Sequence, residues 1–77
     1  MKTAKFIKEV EKLGLEVRHN AVTVAFMTKE LGLLGSVSQT SRFTVDTMHS
    51  PEFESSFSDE LMDLIAEFAK TPLKDRK

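Results

Sequence analysis

Along residues 4–13 the apolar side chains Phe6, Ile7, Val10 and Leu13 recur at i, i+1, i+4 and i+7, the spacing of one helical face. Lys5, Lys8 and Lys12 fall on the opposite side. Thr3 stands where an N-cap belongs, and Gly14 can take the left-handed conformation that ends a helix. The period then changes from 3.6 to 2. Leu15 and Val17 alternate with Glu16 and Arg18, and Asn20-Ala21 reads as a tight turn. Val22, Val24 and Phe26 alternate with Thr23 and Ala25, and Thr28 to Gly32 reads as a second turn. Leu34 to Ser38 is a further strand candidate with two glycines at its start, and Gly32-Leu33-Leu34-Gly35 reads as a turn followed by a bulge or twisted strand. Gln39-Thr40-Ser41 turns the chain into a last strand candidate, Arg42 to Thr47.

Met48 to Phe57 has no clean period, although Ser50-Pro51 can open one short helical turn. From Asp59 to Lys70 the helical period returns, with Leu61, Leu64, Ile65 and Phe68 on one side. Ser58 is the expected N-cap, Phe57 a staple onto Met62, and Pro72 forces the helix to end near Thr71. The tail fits one more turn, capped by Thr71 with Pro72 in its first helical position. The expected fold is an α+β domain over residues 1–77, a two-layer α-β-β-β(-β)-α arrangement. Its antiparallel meander has connections too short for parallel crossovers, and both helices cover one of its faces.

Composition narrows the function classes. Six Phe are the entire aromatic content and Tyr and Trp are absent, which removes the usual interface hot spots and base-stacking platforms. With no cysteine, disulfides and thiolate chemistry are excluded, and a reducing cytoplasmic setting is expected. The N-terminal stretch has no apolar h-region, and no apolar run approaches the length of a membrane span.

No motif points to catalysis. His19 and His49 are 30 residues apart, and His19 reads as a half-exposed structural residue. Asp46, His49 and Ser50 have the letters of a triad, but such close neighbours do not present triad geometry. Asp46, His49, Glu52 and Glu54 match neither an EF-hand loop nor HExxH, and no nucleotide loop of the form GxxxxGK(S/T) or GxGxxG occurs. Gly32-Leu33-Leu34-Gly35 has the letters of the GXXG loop of RNA-binding KH domains, but it is apolar and lies between strand candidates. The expectation is therefore a non-enzymatic protein with no cofactor, no metal and no membrane.

Charge is segregated beneath a near-neutral total. Residues 1–45 carry a net +3, residues 46–69 a net −7 with no base at all, and residues 70–77 a net +3. Asp59, Glu60, Asp63 and Glu67 cluster opposite the apolar side of the second helix. Three readings follow. Both charged faces are simply solvated; or the acidic face meets a basic protein surface; or Lys2, Lys5, Lys8 and Lys12 hold phosphates, for which no supporting motif exists. The reading carried forward is protein–protein interaction through Asp59, Glu60, Asp63 and Glu67, with Phe53 and Phe57 as apolar contacts where exposed. The alternative is a homodimer built on a free sheet face or edge.

The ends of the chain, KFIKEVEKLGLEV at 5–17 and LMDLIAEFAKTPLKDR at 61–76, resemble those of small uncharacterised proteins encoded by phages and prophages of Gram-positive bacteria. The match covers 29 of the 77 residues, and Glu67 to Leu73, E-F-A-x-T-P-L, is its distinctive element. The resemblance implies an α+β protein of about this length and carries over no catalytic or binding residues. By analogy it implies a partner among host or phage proteins with basic surfaces, such as a nucleic-acid site that the acidic face would occupy.

Overall fold

The computed structural model describes residues 1–48 and 51–77. It is an α+β fold with helix α1 (Thr3–Lys12), strands β1 (Glu16–His19), β2 (Thr23–Thr28), β3 (Gly32–Ser38) and β4 (Val45–Thr47), and helix α2 (Asp59–Lys70). Short 3-10 segments span Pro51–Ser56 and Leu73–Asp75. The strands form an antiparallel meander in the order β1-β2-β3-β4.

One core serves all the layers. Phe6 and Val10 of α1, Val24 and Phe26 of β2, Leu34 and Val37 of β3, Phe53, and Leu61, Ile65, Phe68 and Ala69 of α2 form a single buried cluster. Phe6 and Phe68 join the helices through rings stacked 4.3 Å apart at an interplanar angle of 7°. Among the described residues, no helix is long and apolar enough to cross a membrane.

The Leu33-Leu34-Gly35 stretch carries a bulge. Phe26 pairs with Gly35 but Met27 pairs with Leu33, so Leu34 is the extra residue of β3. Leu34 is thereby fully buried while Leu33 is 48% exposed. Gly35 is required by packing, because a Cβ there would run into the Asp46 carbonyl oxygen and the Phe26 ring.

Several local expectations are corrected. Lys2, not Thr3, holds the cap position of α1, and no side chain caps it. Instead the Thr3 N–H donates to the Arg76 carbonyl at 2.7 Å, so the tail closes the first turn. Val22 is exposed and outside β2, because Asn20 Oδ1 accepts the N–H groups of Val22 (2.7 Å) and Thr23 (2.9 Å) and holds Val22 in the turn. The strand expected over Arg42 to Thr47 is shortened to Val45–Thr47. Ser38 Oγ accepts from the Thr40 and Ser41 amides, which curls the chain away from the sheet before β4 begins. Thr71 does not cap the tail turn; its hydroxyl donates to the Glu67 carbonyl at 2.7 Å. The Ser58 cap and the span of α2 are as expected, with Ser58 Oγ accepting the Leu61 N–H at 3.1 Å.

Candidate protein-binding face

Amphipathicity positions the acids of α2. Burial of Leu61, Ile65 and Phe68 fixes the rotation of the helix about its axis. Asp59, Glu60, Asp63 and Glu67, on the other side, are all exposed. Asp59 and Glu60 lie in the first turn, where the helix dipole favours negative charge. Asp63 and Glu67 lie beyond its reach and are like-charged at i,i+4 spacing, which destabilises the helix slightly.

The lysines of α1 do not neutralise them. Lys12 turns back to Glu9 of its own helix, with Nζ to Oε1 at 3.2 Å, and this is the only ion pair among the described residues. Lys5 and Lys8 are exposed. The four α2 carboxylates therefore have no cationic partner among the described residues. Three of them, Glu60, Asp63 and Glu67, border a groove of about 450 Å³ between the helices, lined also by Leu64 of α2 and by Glu9, Lys12 and Leu13 of the α1 end. Leu13 and Leu64 are half-buried, packed against the core from its edge. The groove thus has an apolar floor and a mainly acidic rim.

The two phenylalanines considered as apolar contacts are not at this face in exposed form. Phe53 is 6% exposed and belongs to the core, because the Pro51–Ser56 segment turns it inward. Phe57 is half-buried and packs against the same cluster. The exposed large apolar side chains among the described residues are Val22, Leu31, Leu33, Phe43, Met48, Met62 and Leu73, and none of them lines the groove. His49 and Ser50, which entered the triad and metal considerations, lie outside the described residues. Among the described residues, no three His, Asp or Glu side chains gather as metal ligands would.

A cationic cluster at the other end of α2 has no counterpart in the sequence reading. Arg76 is buried and donates to three carbonyls: Nε to Thr71 (3.0 Å), Nη1 to Ser38 (2.6 Å) and Nη2 to Ala69 (3.1 Å). Its guanidinium lies 4.5 Å from the Phe68 ring centroid. Burial pushes the Arg76 pKa below its ordinary value, and the charge of Arg42 adds to this. Arg42 donates its Nε to the Lys70 carbonyl and stacks on Phe43, 4.4 Å from the ring centroid. The carbonyl end of α2 is thus capped by two guanidiniums, which suits the dipole and satisfies groups a helix leaves unpaired. No local signal marks either arginine, because Ser38 and Lys70 are distant from them in sequence.

Comparison with protein-family models, with curated proteins and with solved structures finds no match to this chain.

Proposed function

We propose that this chain is a small non-enzymatic protein-binding module that docks a basic protein surface on the acidic face of α2. The observation that carries the reading is the set of four exposed carboxylates without a cationic partner among the described residues, three of which rim a groove with an apolar floor. A merely solvated helix gains nothing from carrying Asp63 and Glu67 at repulsive spacing with no lysine among them. A binding face gains steering of a basic partner and complementarity once that partner is seated. Leu13 and Leu64 take over the apolar role first considered for Phe53 and Phe57. The likeness of both chain ends to phage and prophage proteins supports a bacterial cytoplasmic setting and a host or phage protein as the partner.

Charge reversal tests this. Replacing Asp59, Asp63 and Glu67 by Lys leaves the far-ultraviolet dichroism unchanged and abolishes affinity capture of the partner from bacterial lysate. Capture of the same proteins by variant and parent would remove the acidic face from the account.

A second reading, a homodimer through the sheet, is favoured by one observation. Leu33 is 48% exposed and pairs in register with the half-buried Met27. Such a dimer buries apolar surface and is insensitive to salt, so light scattering that shows a monomer at all salt concentrations removes it.

A further inference from the structure

Phe43 is the most exposed large apolar residue described, at 66%, and it is the one non-glycine residue described with positive φ, at +66°. That backbone conformation suits glycine or asparagine and disfavours a bulky side chain. The fold holds Phe43 there through its N–H on the Ala69 carbonyl (2.9 Å), with the flanking Ser38 amide on the Thr44 carbonyl (2.9 Å). The ring itself adds nothing to the core, so the fold alone would be better served by glycine. A phenylalanine kept at a strained, protruding position is instead suited to a contact outside the molecule.

Its neighbour shows what that contact would be. Arg42 lies over the Phe43 ring and uses Nε on the Lys70 carbonyl, while Nη1 and Nη2 make no hydrogen bond among the described residues. The tip therefore presents a phenyl ring and a pre-oriented guanidinium edge beside the exposed Lys70. Its complement is an apolar slot flanked by carboxylates, which fits the groove over Leu13 and Leu64 rimmed by Glu60, Asp63 and Glu67 of α2, with Lys12 on the α1 side paired to Glu9. A groove of about 450 Å³ is roomy enough for a phenyl ring. The exposure of Phe43 shows that it does not fill the groove of its own chain.

We infer that the Arg42-Phe43 tip of one copy docks in the acidic α1–α2 groove of a second copy, with Phe43 over Leu13 and Leu64 and Arg42 on the carboxylates of Asp63 and Glu67. The inference rests on the reading of that groove as a docking surface and names a second copy as its occupant. The contact joins two different patches, so it is heterologous and leaves a free tip and a free groove at the ends of each assembly. A contact this small falls below the area of stable interfaces, about 800 Å² per partner, and is transient.

Sedimentation of the intact chain from micromolar to millimolar concentration tests it. The average mass rises with concentration at low salt and falls back toward monomer at about 1 M salt, where charges are screened within about 3 Å. Phe43→Gly, and separately Asp63→Lys with Glu67→Lys, weaken association at least about tenfold, the loss expected of a central aromatic or charged contact. Dichroism and a cooperative melt confirm that each variant folds, and Asp63→Asn with Glu67→Gln replaces the charge-reversed pair if it does not. Mixing the loop variant with the groove variant restores a dimer and nothing larger, because one intact tip meets one intact groove. A native chain that stays monomeric at millimolar concentration overturns the second copy as occupant. Loss of lysate capture by the charge-reversed protein would still leave the acidic face standing in that case. Association of Phe43→Gly equal to that of the native chain places the contact on another surface and also overturns the inference.

Discussion

Arg76 shows how much of this small fold depends on one side chain that reaches both near and distant partners. It joins the end of α2, the end of β3 and the tail through three carbonyls, and the tail in turn holds the first turn of α1 through the Arg76 carbonyl. Arg76→Ala removes the guanidinium from the Thr71 and Ser38 carbonyls, leaves the Ala69 carbonyl only the Phe43 N–H, and is expected to cost about 2–4 kcal/mol, given about 1.5–3 kcal/mol for a hydrogen bond to a charged group. A thermal melt checks this, since about 1 kcal/mol moves the midpoint of a domain this size by roughly 4–8 °C. Lysine does not restore the loss, because one ammonium cannot reproduce the planar fork. Gly35→Ala forces β4 or the Phe26 ring to move and is expected to destabilise by about 2–4 kcal/mol, also read in the melt. Phe43→Gly goes the other way. It removes backbone strain and is expected to leave stability unchanged or to raise it by up to about 1 kcal/mol. A melting midpoint lowered by 10 °C would show that the ring supports the fold after all.

Among the elements, α2 separates what the sequence states from what it withholds. Its span, its Ser58 cap and its buried stripe follow from local chemistry, and they are legible because a strong 3.6 period needs no distant information. The acids of its outer face are legible for the same reason. The β1–β2 turn held by Asn20, and the curl at Ser38 that shortens β4, depend on side-chain-to-backbone bonds that compete with strand pairing. Alternation alone therefore placed Val22 and Phe43 in strands. The core role of Phe53 was open because a 3-10 turn of six residues has too short a period to show a face. Asp63→Lys offers a test at this scale. It converts two repulsive i,i+4 pairs, with Asp59 and Glu67, into attractive ones and is expected to stabilise the protein by about 0.5–1 kcal/mol. A neutral or negative effect in chemical denaturation would mean that the acidic face is not held against the interest of the helix.

Taken whole, the molecule separates its charges along α2. Four carboxylates without a cationic partner among the described residues lie on one side of the helix, three of them lining its groove, while Arg42, Lys70 and Arg76 gather at its carbonyl end. Only the first half of this arrangement was visible in the linear charge pattern. The second half arises because β3 and the loop before β4 bring Ser38 and Arg42 to the end of α2. The packing core accounts for the buried apolar residues, and the caps account for Arg42 and Arg76. Neither accounts for a lysine-free acidic face beside an apolar groove, and this is the feature assigned to partner binding. The most direct test is affinity capture from bacterial lysate by the parent and by the Asp59→Lys, Asp63→Lys, Glu67→Lys protein side by side. The account predicts a partner retained by the parent at low salt and absent from the variant. Identical captured sets would contradict it.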